Sequence, residues 1–262
     1  MRKLPWDEVG IARQNQVFMF SISPDPYVVI VLDVDAQPLI DVVAARRESS
    51  GKPVTMIHAL NKMLGIAFAE NPEYNCVVLD RRIYQLENVT ISNPYLLPGD
   101  QRALTMLLME DPQNKSLEEI ADFFESEKQV KREEFEVTGQ TRIGLAPKFL
   151  LRSGLYKIIS EKMQFKTLYT RSLTTNLVIS KANHPITGNF LATRGAMQVL
   201  RTFMRFFPHA VVYKSRMVDG ECVPKPVLPI TMMLDHRLVD GAHVNAFVKS
   251  INAITDDADN RL

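Results

Sequence analysis

An apolar strand, a short polar segment and an amphipathic helix follow one another near the end of the chain, and this succession constrains the fold more than any other feature. Residues 227–234 are aliphatic and methionine-rich, as in a buried strand. After Gly241, apolar residues recur at helical spacing: Val244, Phe247, Val248, Ile251 and Ile254. Because such a helix buries its apolar stripe against a second layer, the pattern predicts a layered α/β fold.

The rest of the chain repeats this mixture of strand and helix patterns. Strands are predicted at residues 27–35, 76–79, 82–86, 89–97, 102–109, 172–180 and 210–218, the last turning into 227–234 through Asp219-Gly220. Helices are predicted from Pro38, at 55–70, after the capping box of residues 116–119, and at 147–163 and 192–207. No Pro- or Gly-rich linker divides the 262 residues, so we predict a single domain, residues 1–262.

Composition favours a cytoplasmic protein that binds neither nucleic acid nor membrane. The net charge is +1, which gives no global field for a polyanion. The two cysteines, Cys76 and Cys222, are far apart and have no metal-binding spacing, as in ordinary thiols of a reducing compartment. The first residues lack the apolar stretch of a signal peptide, and residues 27–32 are too few to span a bilayer.

His236 is the residue best suited to chemistry, because it stands at the junction between strand and helix. A histidine accepts a proton near neutral pH and can activate a thiol or hydroxyl as a nucleophile. The alternative is a histidine that satisfies the strand end, with Asp240 as a carboxylate at the helix N-terminus. His236, Asp240 and His243 also have a spacing that could present metal ligands, but more ligands are needed, and we predict no metal site.

Residues 235–241 read Asp-His-Arg-Leu-Val-Asp-Gly. This segment resembles the Asp-His-Arg-x-x-Asp-Gly signature in the catalytic domain of the acyltransferases of 2-oxoacid dehydrogenase complexes. Chloramphenicol acetyltransferases share that fold and a similar motif. The resemblance implies a two-layer chloramphenicol acetyltransferase-like sandwich, in which helices flank a mixed sheet.

Two weaker matches extend the resemblance towards the start of the chain. Pro26-Tyr27, then Val34-Asp35 and Leu39, are similar to the family's Pro-His, Glu-Val-Asp and Leu. Residues 69–75, Ala-Glu-Asn-Pro-Glu-Tyr-Asn, are similar to a family helix that ends in Asn-Pro-x-x-Asn. The matches occur in the family's order and together span most of the chain.

The resemblance implies a role for each site residue. His236 would be the general base, and Asp240 would be mainly structural, in an ion pair with an arginine, for which Arg13 is the candidate. The family stabilises the tetrahedral oxyanion with a Ser or Thr hydroxyl near the end of a strand that reads Thr-Ile-Ser-Asn-Leu-Gly. Ser180 is the candidate here, although its following residues depart from that pattern, and Thr193 or another hydroxyl is the alternative.

The resemblance also implies substrates and partners. The acyl donor would be an acyl-coenzyme A, and the acceptor a small molecule or a lipoyl group on a separate protein, since we find no lipoyl domain ahead of the catalytic region. A homotrimer or larger assembly would form, with the active site between subunits. Two alternatives remain open: a non-catalytic oligomeric scaffold that keeps this fold, and a condensation-type enzyme with a related motif, for whose two lobes the chain is short.

Overall fold

The computed structural model describes residues 2–5, 8, 27–79, 82–96, 104–138, 175–177 and 204–262. The strands are β1 (Arg2–Lys3), β2 (Tyr27–Asp35), β3 (Cys76–Leu79), β4 (Arg82–Gln85), β5 (Thr90–Leu96), β6 (Leu104–Glu110), β7 (Thr175–Leu177), β8 (Met204–Pro208), β9 (Val212–Val218) and β10 (Glu221–Asp235). The helices are α1 (Gln37–Ser50), α2 (Met56–Glu70), α3 (Leu117–Thr138), α4 (Gly241–Asp256) and α5 (Ala258–Arg261), with short 3-10 turns at Pro72–Tyr74 and Pro112–Asn114.

The strands form two sheets. The larger one is mixed and has the order β2-β10-β8-β7-β5-β6, with β9 paired to the first half of β10. Its β5, β7 and β8 run parallel to one another, and the remaining neighbours are antiparallel. The smaller sheet has the order β1-β4-β3. This arrangement confirms the predicted α/β class with a mixed sheet.

Helices cover one face of the larger sheet and form the main core with it. The inward residues of β10 alternate along the strand, namely Leu228, Ile230, Met232 and Leu234, and pack with α1, α2 and α4. A close approach also fixes α2, because a Cβ at Gly65 would lie 2.6 Å from Cγ of Pro112. Only glycine therefore lets the Pro112–Asn114 turn sit directly on the helix.

The helix predicted at residues 192–207 is wrong at its end, because residues 204–207 are not helical. Met204–Pro208 forms β8, which lies between β10 and β7. Its five residues are all buried, so both faces of the strand are covered and the apolar pattern loses its period of two. The predicted helices at 147–163 and 192–203 lie outside the described residues, and the extent of the domain stays a prediction.

The other predicted elements within the described residues are present. The hairpin of β9 and β10 turns at Asp219 and Gly220, which have positive φ values of 50° and 86°. The capping box at the start of α3 is also formed. The Glu119 side chain accepts from the Ser116 backbone N–H at 2.7 Å, and Ser116 Oγ accepts from that of Glu119 at 3.1 Å. β10 begins six residues before the predicted strand, because its first half pairs with β9.

His58 provides a test of the core that does not depend on function. It is buried on α2 beside Phe124, its Nδ1 accepts from the Thr55 backbone N–H at 3.2 Å, and burial followed by the charge of Lys128 lowers its pKa to about 4. His58 therefore binds a proton near pH 6.5 in the unfolded chain but only near pH 4 in the folded chain, and the folded state loses stability as the pH falls between these values.

We expect acidification from pH 6.5 to about pH 5 to lower the free energy of unfolding by about 1–2 kcal/mol more in the wild type than in His58→Asn. Asn keeps an acceptor for Thr55 but does not titrate. Urea denaturation of both proteins across this range measures the difference. Parallel pH dependences would contradict a neutral buried His58.

Candidate active site

The strand-to-helix junction at residues 235–241 is a tight turn closed by backbone contacts. The backbone N–H of Leu238 donates to the carbonyl of Asp235 at 3.0 Å. Leu238 and Val239 are buried in the main core, and Asp240 is the N-cap residue of α4. The apolar side chains thus hold the turn against the core, while His236, Arg237 and Asp240 remain partly exposed.

The ring of His236 is oriented by a backbone carbonyl. Its Nδ1 lies 2.5 Å from the carbonyl oxygen of Val239. A carbonyl oxygen only accepts, so Nδ1 must carry the hydrogen. In the neutral imidazole the lone pair is then on Nε2. A proton acceptor with a defined direction is the property that a general base needs.

Asp235 and Arg237 flank His236 and form a local ion pair. The Arg237 Nε donates to both Asp235 oxygens, at 2.8 and 3.1 Å, and Nη2 donates to Oδ2 at 2.5 Å. Burial disfavours the charged guanidinium, but the hydrogen bonds and charge of Asp235 outweigh that cost, and the pKa of Arg237 is raised. The pair neutralises both charges at the strand end and fixes the backbone on either side of His236.

Asp240 caps α4 and also binds a second histidine. Its Oδ1 accepts from the backbone N–H groups of Ala242 at 3.0 Å and His243 at 3.2 Å. The same oxygen lies 2.6 Å from Nδ1 of His243. The hydrogen bond from the His243 ring is the largest cause that lowers the pKa of Asp240. Desolvation opposes it, and the charge of His243 and the two backbone hydrogen bonds lower the pKa further.

A cluster of aromatic rings fixes the start of α4 from the interior. Tyr74 Oη donates to the backbone carbonyl of His243 at 2.9 Å, and the two rings meet edge to face. The ring of Tyr74 also packs against Phe247, which in turn contacts Phe68 and Phe206. Tyr74 belongs to residues 69–75, which resemble the end of a family helix, and this segment therefore contacts the start of α4 directly.

The predicted site residues fall into two groups. His236 and Asp240 lie in the same turn, as their spacing required. Arg13, Ser180 and Thr193 lie outside the described residues, so the ion pair with Asp240 and the oxyanion hydroxyl stay predictions. Within the ranges that the structure describes, no group of three or more His, Cys, Asp or Glu side chains could hold a metal ion. No helix in those ranges is long and apolar enough to cross a bilayer.

Sequence reasoning missed three contacts. The ion pair of Asp235 with Arg237 is not among the predicted contacts, and His243 is predicted only as a possible metal ligand. An acid at an N-cap with a histidine three positions later is a readable signal, because residues i and i+3 are neighbours on a helix. The bond from His236 to Val239 had no signal at all, since every residue carries a carbonyl.

Comparison with known proteins connects this turn to one family. Residues 208–261 match the family described as 2-oxoacid dehydrogenases acyltransferase (catalytic domain). A stretch of 49 residues is 33% identical to the dihydrolipoyllysine-residue succinyltransferase component of 2-oxoglutarate dehydrogenase complex 1, mitochondrial, of Arabidopsis thaliana. That stretch covers 19% of this chain and 11% of the curated relative. The predicted resemblance is thereby confirmed, and the matched family segment contains the whole motif.

Solved structures extend the similarity to nearly the whole chain. A probable dihydrolipoamide acetyltransferase from Listeria monocytogenes aligns with a TM-score of 0.65 and 15% identity, covering 99% of this chain and 96% of that one. The dihydrolipoamide acetyltransferase of Azotobacter vinelandii aligns at 0.64 and 15%, covering 98% and 92%. A chloramphenicol acetyltransferase aligns at 0.55 and 14%, covering 97% and 100%. These similarities confirm the predicted chloramphenicol acetyltransferase-like fold.

Replacement of the cap tests the local role of Asp240. We expect Asp240→Ala to lower the free energy of unfolding by about 1 kcal/mol, because the N–H groups of Ala242 and His243 lose their acceptor. Asp240→Asn keeps an acceptor and should lose clearly less. Chemical denaturation at neutral pH measures both losses. If the two variants were equally destabilised, the acceptor at this position would not be the source of the stability.

Proposed function

We propose that this chain is a coenzyme A-dependent acyltransferase in which His236 is the general base. The hydrogen bond from Nδ1 of His236 to the Val239 carbonyl carries this proposal, because it leaves the lone pair of the neutral ring on Nε2. The partial exposure of His236 is also required, since a thiol must reach the ring. A histidine enclosed in the core would not serve.

In the proposed reaction Nε2 of His236 accepts the proton of the attacking thiol. The sulfur forms a bond to the carbonyl carbon of the thioester, and the carbonyl oxygen becomes an oxyanion. When the intermediate collapses, the original carbon–sulfur bond breaks, and the departing thiolate receives the proton back from the imidazolium. No net proton or electron is consumed.

Other residues complete the proposed site. Asp240 holds the start of α4 and thereby the position of the turn, with Arg13 as a proposed ion-pair partner. Ser180, or alternatively Thr193, donates a hydrogen bond to the oxyanion. Such a donor typically contributes about two orders of magnitude in rate. A serine, a histidine and an asparagine have been investigated for their role in the catalytic mechanism of the Azotobacter vinelandii enzyme, and the last two are four positions apart, like His236 and Asp240.

We take the donor to be an acyl-coenzyme A and the acceptor to be a lipoyl group on a separate protein or a small molecule. The family match and the named succinyltransferase and acetyltransferase relatives support this chemistry. We also propose a cytoplasmic location, which the reduced thiols of Cys76 and Cys222 suit.

Acyl transfer from a panel of acyl-coenzyme A donors to dihydrolipoamide tests the proposal. We expect wild type to release free coenzyme A and His236→Ala to be at least a hundredfold slower, because the general base is lost. Arg132→Ala, on the exposed outer part of α3, is the control and should match wild type. Equal release by wild type and His236→Ala would refute the catalytic assignment. No turnover of any donor would favour the non-catalytic scaffold.

We further propose that the chain forms a homotrimer, and its exposed apolar residues support this. Val29 and Val31 on β2 are 42% and 53% exposed, and Tyr213 and Met217 on β9 are 75% and 70% exposed. The β2 pair aligns with Met233 and Thr231 of β10, whereas the β9 pair aligns with Pro226 and Cys222.

These two patches face opposite sides, because odd and even positions of one strand point to opposite faces. A contact about a two-fold axis would cover one patch twice and leave the other exposed. A head-to-tail contact covers both, and such contacts form a ring when the rotation between neighbours closes. A ring therefore suits the surface, and we propose three members because the family resemblance implies a trimer; one structural neighbour is the cubic core of the pyruvate dehydrogenase multienzyme complex.

Solution mass tests the ring. We expect wild type to sediment as a trimer and the double variant Tyr213→Lys, Met217→Lys to sediment as a monomer, because two charges replace the exposed apolar patch of β9. Val130→Lys is the matched control, since Val130 is 44% exposed on α3. A trimer that persists in the double variant, or is lost equally in the control, would contradict this contact.

A further inference from the structure

The imidazole of His243 is connected to His236 through two residues of the turn. Asp240 Oδ1 accepts only, so the 2.6 Å contact requires that Nδ1 of His243 donates. Asp240 is followed by the helix, and its own carbonyl accepts from the Val244 N–H at 3.0 Å. Residue 240 is therefore held by its side chain and by its backbone at the same time.

The conformation of Asp240 determines the direction of the carbonyl that orients His236. Its backbone is extended, with φ −121° and ψ −177°. The peptide plane between Val239 and Asp240 rotates with this φ, and the Val239 oxygen belongs to that plane. A fixed Asp240 therefore fixes the acceptor that lies 2.5 Å from Nδ1 of His236.

We propose that His243 is a positioning residue that selects the tautomer of His236. It holds the Asp240 carboxylate, the carboxylate holds the Val239–Asp240 peptide plane, and that plane keeps the hydrogen of His236 on Nδ1 and the lone pair on Nε2. This inference rests on the proposed function only for its catalytic consequence, because the tautomer exists whether or not a substrate is turned over.

The contacts of His243 go beyond those of an ordinary capping neighbour. Backbone N–H groups already satisfy a capping carboxylate, and two of them do so here. The ring adds a third and shorter bond. Tyr74, itself 98% buried, anchors the backbone of His243 and packs against its ring, so the donor cannot swing away without leaving the aromatic cluster.

The 15N chemical shifts of the histidine side chains test the tautomer directly. Solid-state NMR of protein labelled with 15N-histidine suits an assembly of any size, and the signals of His236 are identified by their loss in His236→Gln. We expect His236 to carry its hydrogen on Nδ1 in wild type and to show a mixture of both tautomers in His243→Ala. His243→Asn places an amide donor near the position of Nδ1 and should restore the wild-type pattern.

Kinetics give the second readout. We expect His243→Ala to lower kcat for acyl transfer about tenfold with the KM for the acyl donor nearly unchanged, because the other tautomer has its hydrogen on Nε2 and its lone pair on Nδ1, where the thiol is not bound. His243→Asn should recover most of the loss. A His236 tautomer that is the same in wild type and His243→Ala would overturn the inference. If no protein transfers acyl groups while the tautomer shifts, the proposed function fails and the positioning role stands.

Discussion

The pairing of β10 on both of its edges is the constraint on which the site depends. Residues 227–235 of this strand pair with β2 on one side, and residues 230–234 pair with β8 on the other. A slip by one residue would move Leu228 and Ile230 from the core to the opposite face. Because the register is fixed in this way, the end of the strand is fixed too, and this determines the position of the His236 backbone.

The charges around His236 are matched locally. Asp235 pairs with Arg237, and Asp240 pairs with His243, so each carboxylate has its own partner. The His236 ring is instead oriented by a neutral carbonyl. A carbonyl gives direction without contributing a full charge. The Val239 carbonyl therefore orients the base, while Arg237 and His243 bind the two neighbouring carboxylates.

The sequence allowed the strand-helix succession at the end of the chain and the position of the motif to be predicted, because β10 contains a long apolar run and the apolar residues of α4 recur at helical spacing. It misled at β8, where Arg205 and Phe207 alternate with Met204 and Phe206 but all are buried. A strand covered on both faces has no polar side to reveal its period. The orientation of His236 could not be predicted either, since it depends on a backbone atom. Arg13 and Ser180 rest on the resemblance alone.

Tyr74 ties the start of α4 to the turn after α2, about one hundred and seventy positions earlier in the sequence. The position of residues 235–241 thus depends on a second segment, the turn that contains Tyr74, which lies outside the signature. Substitutions around Asn71 and Tyr74 can therefore shift the start of α4 while every residue of the signature stays the same. Two chains with identical signatures therefore need not share the same reactivity.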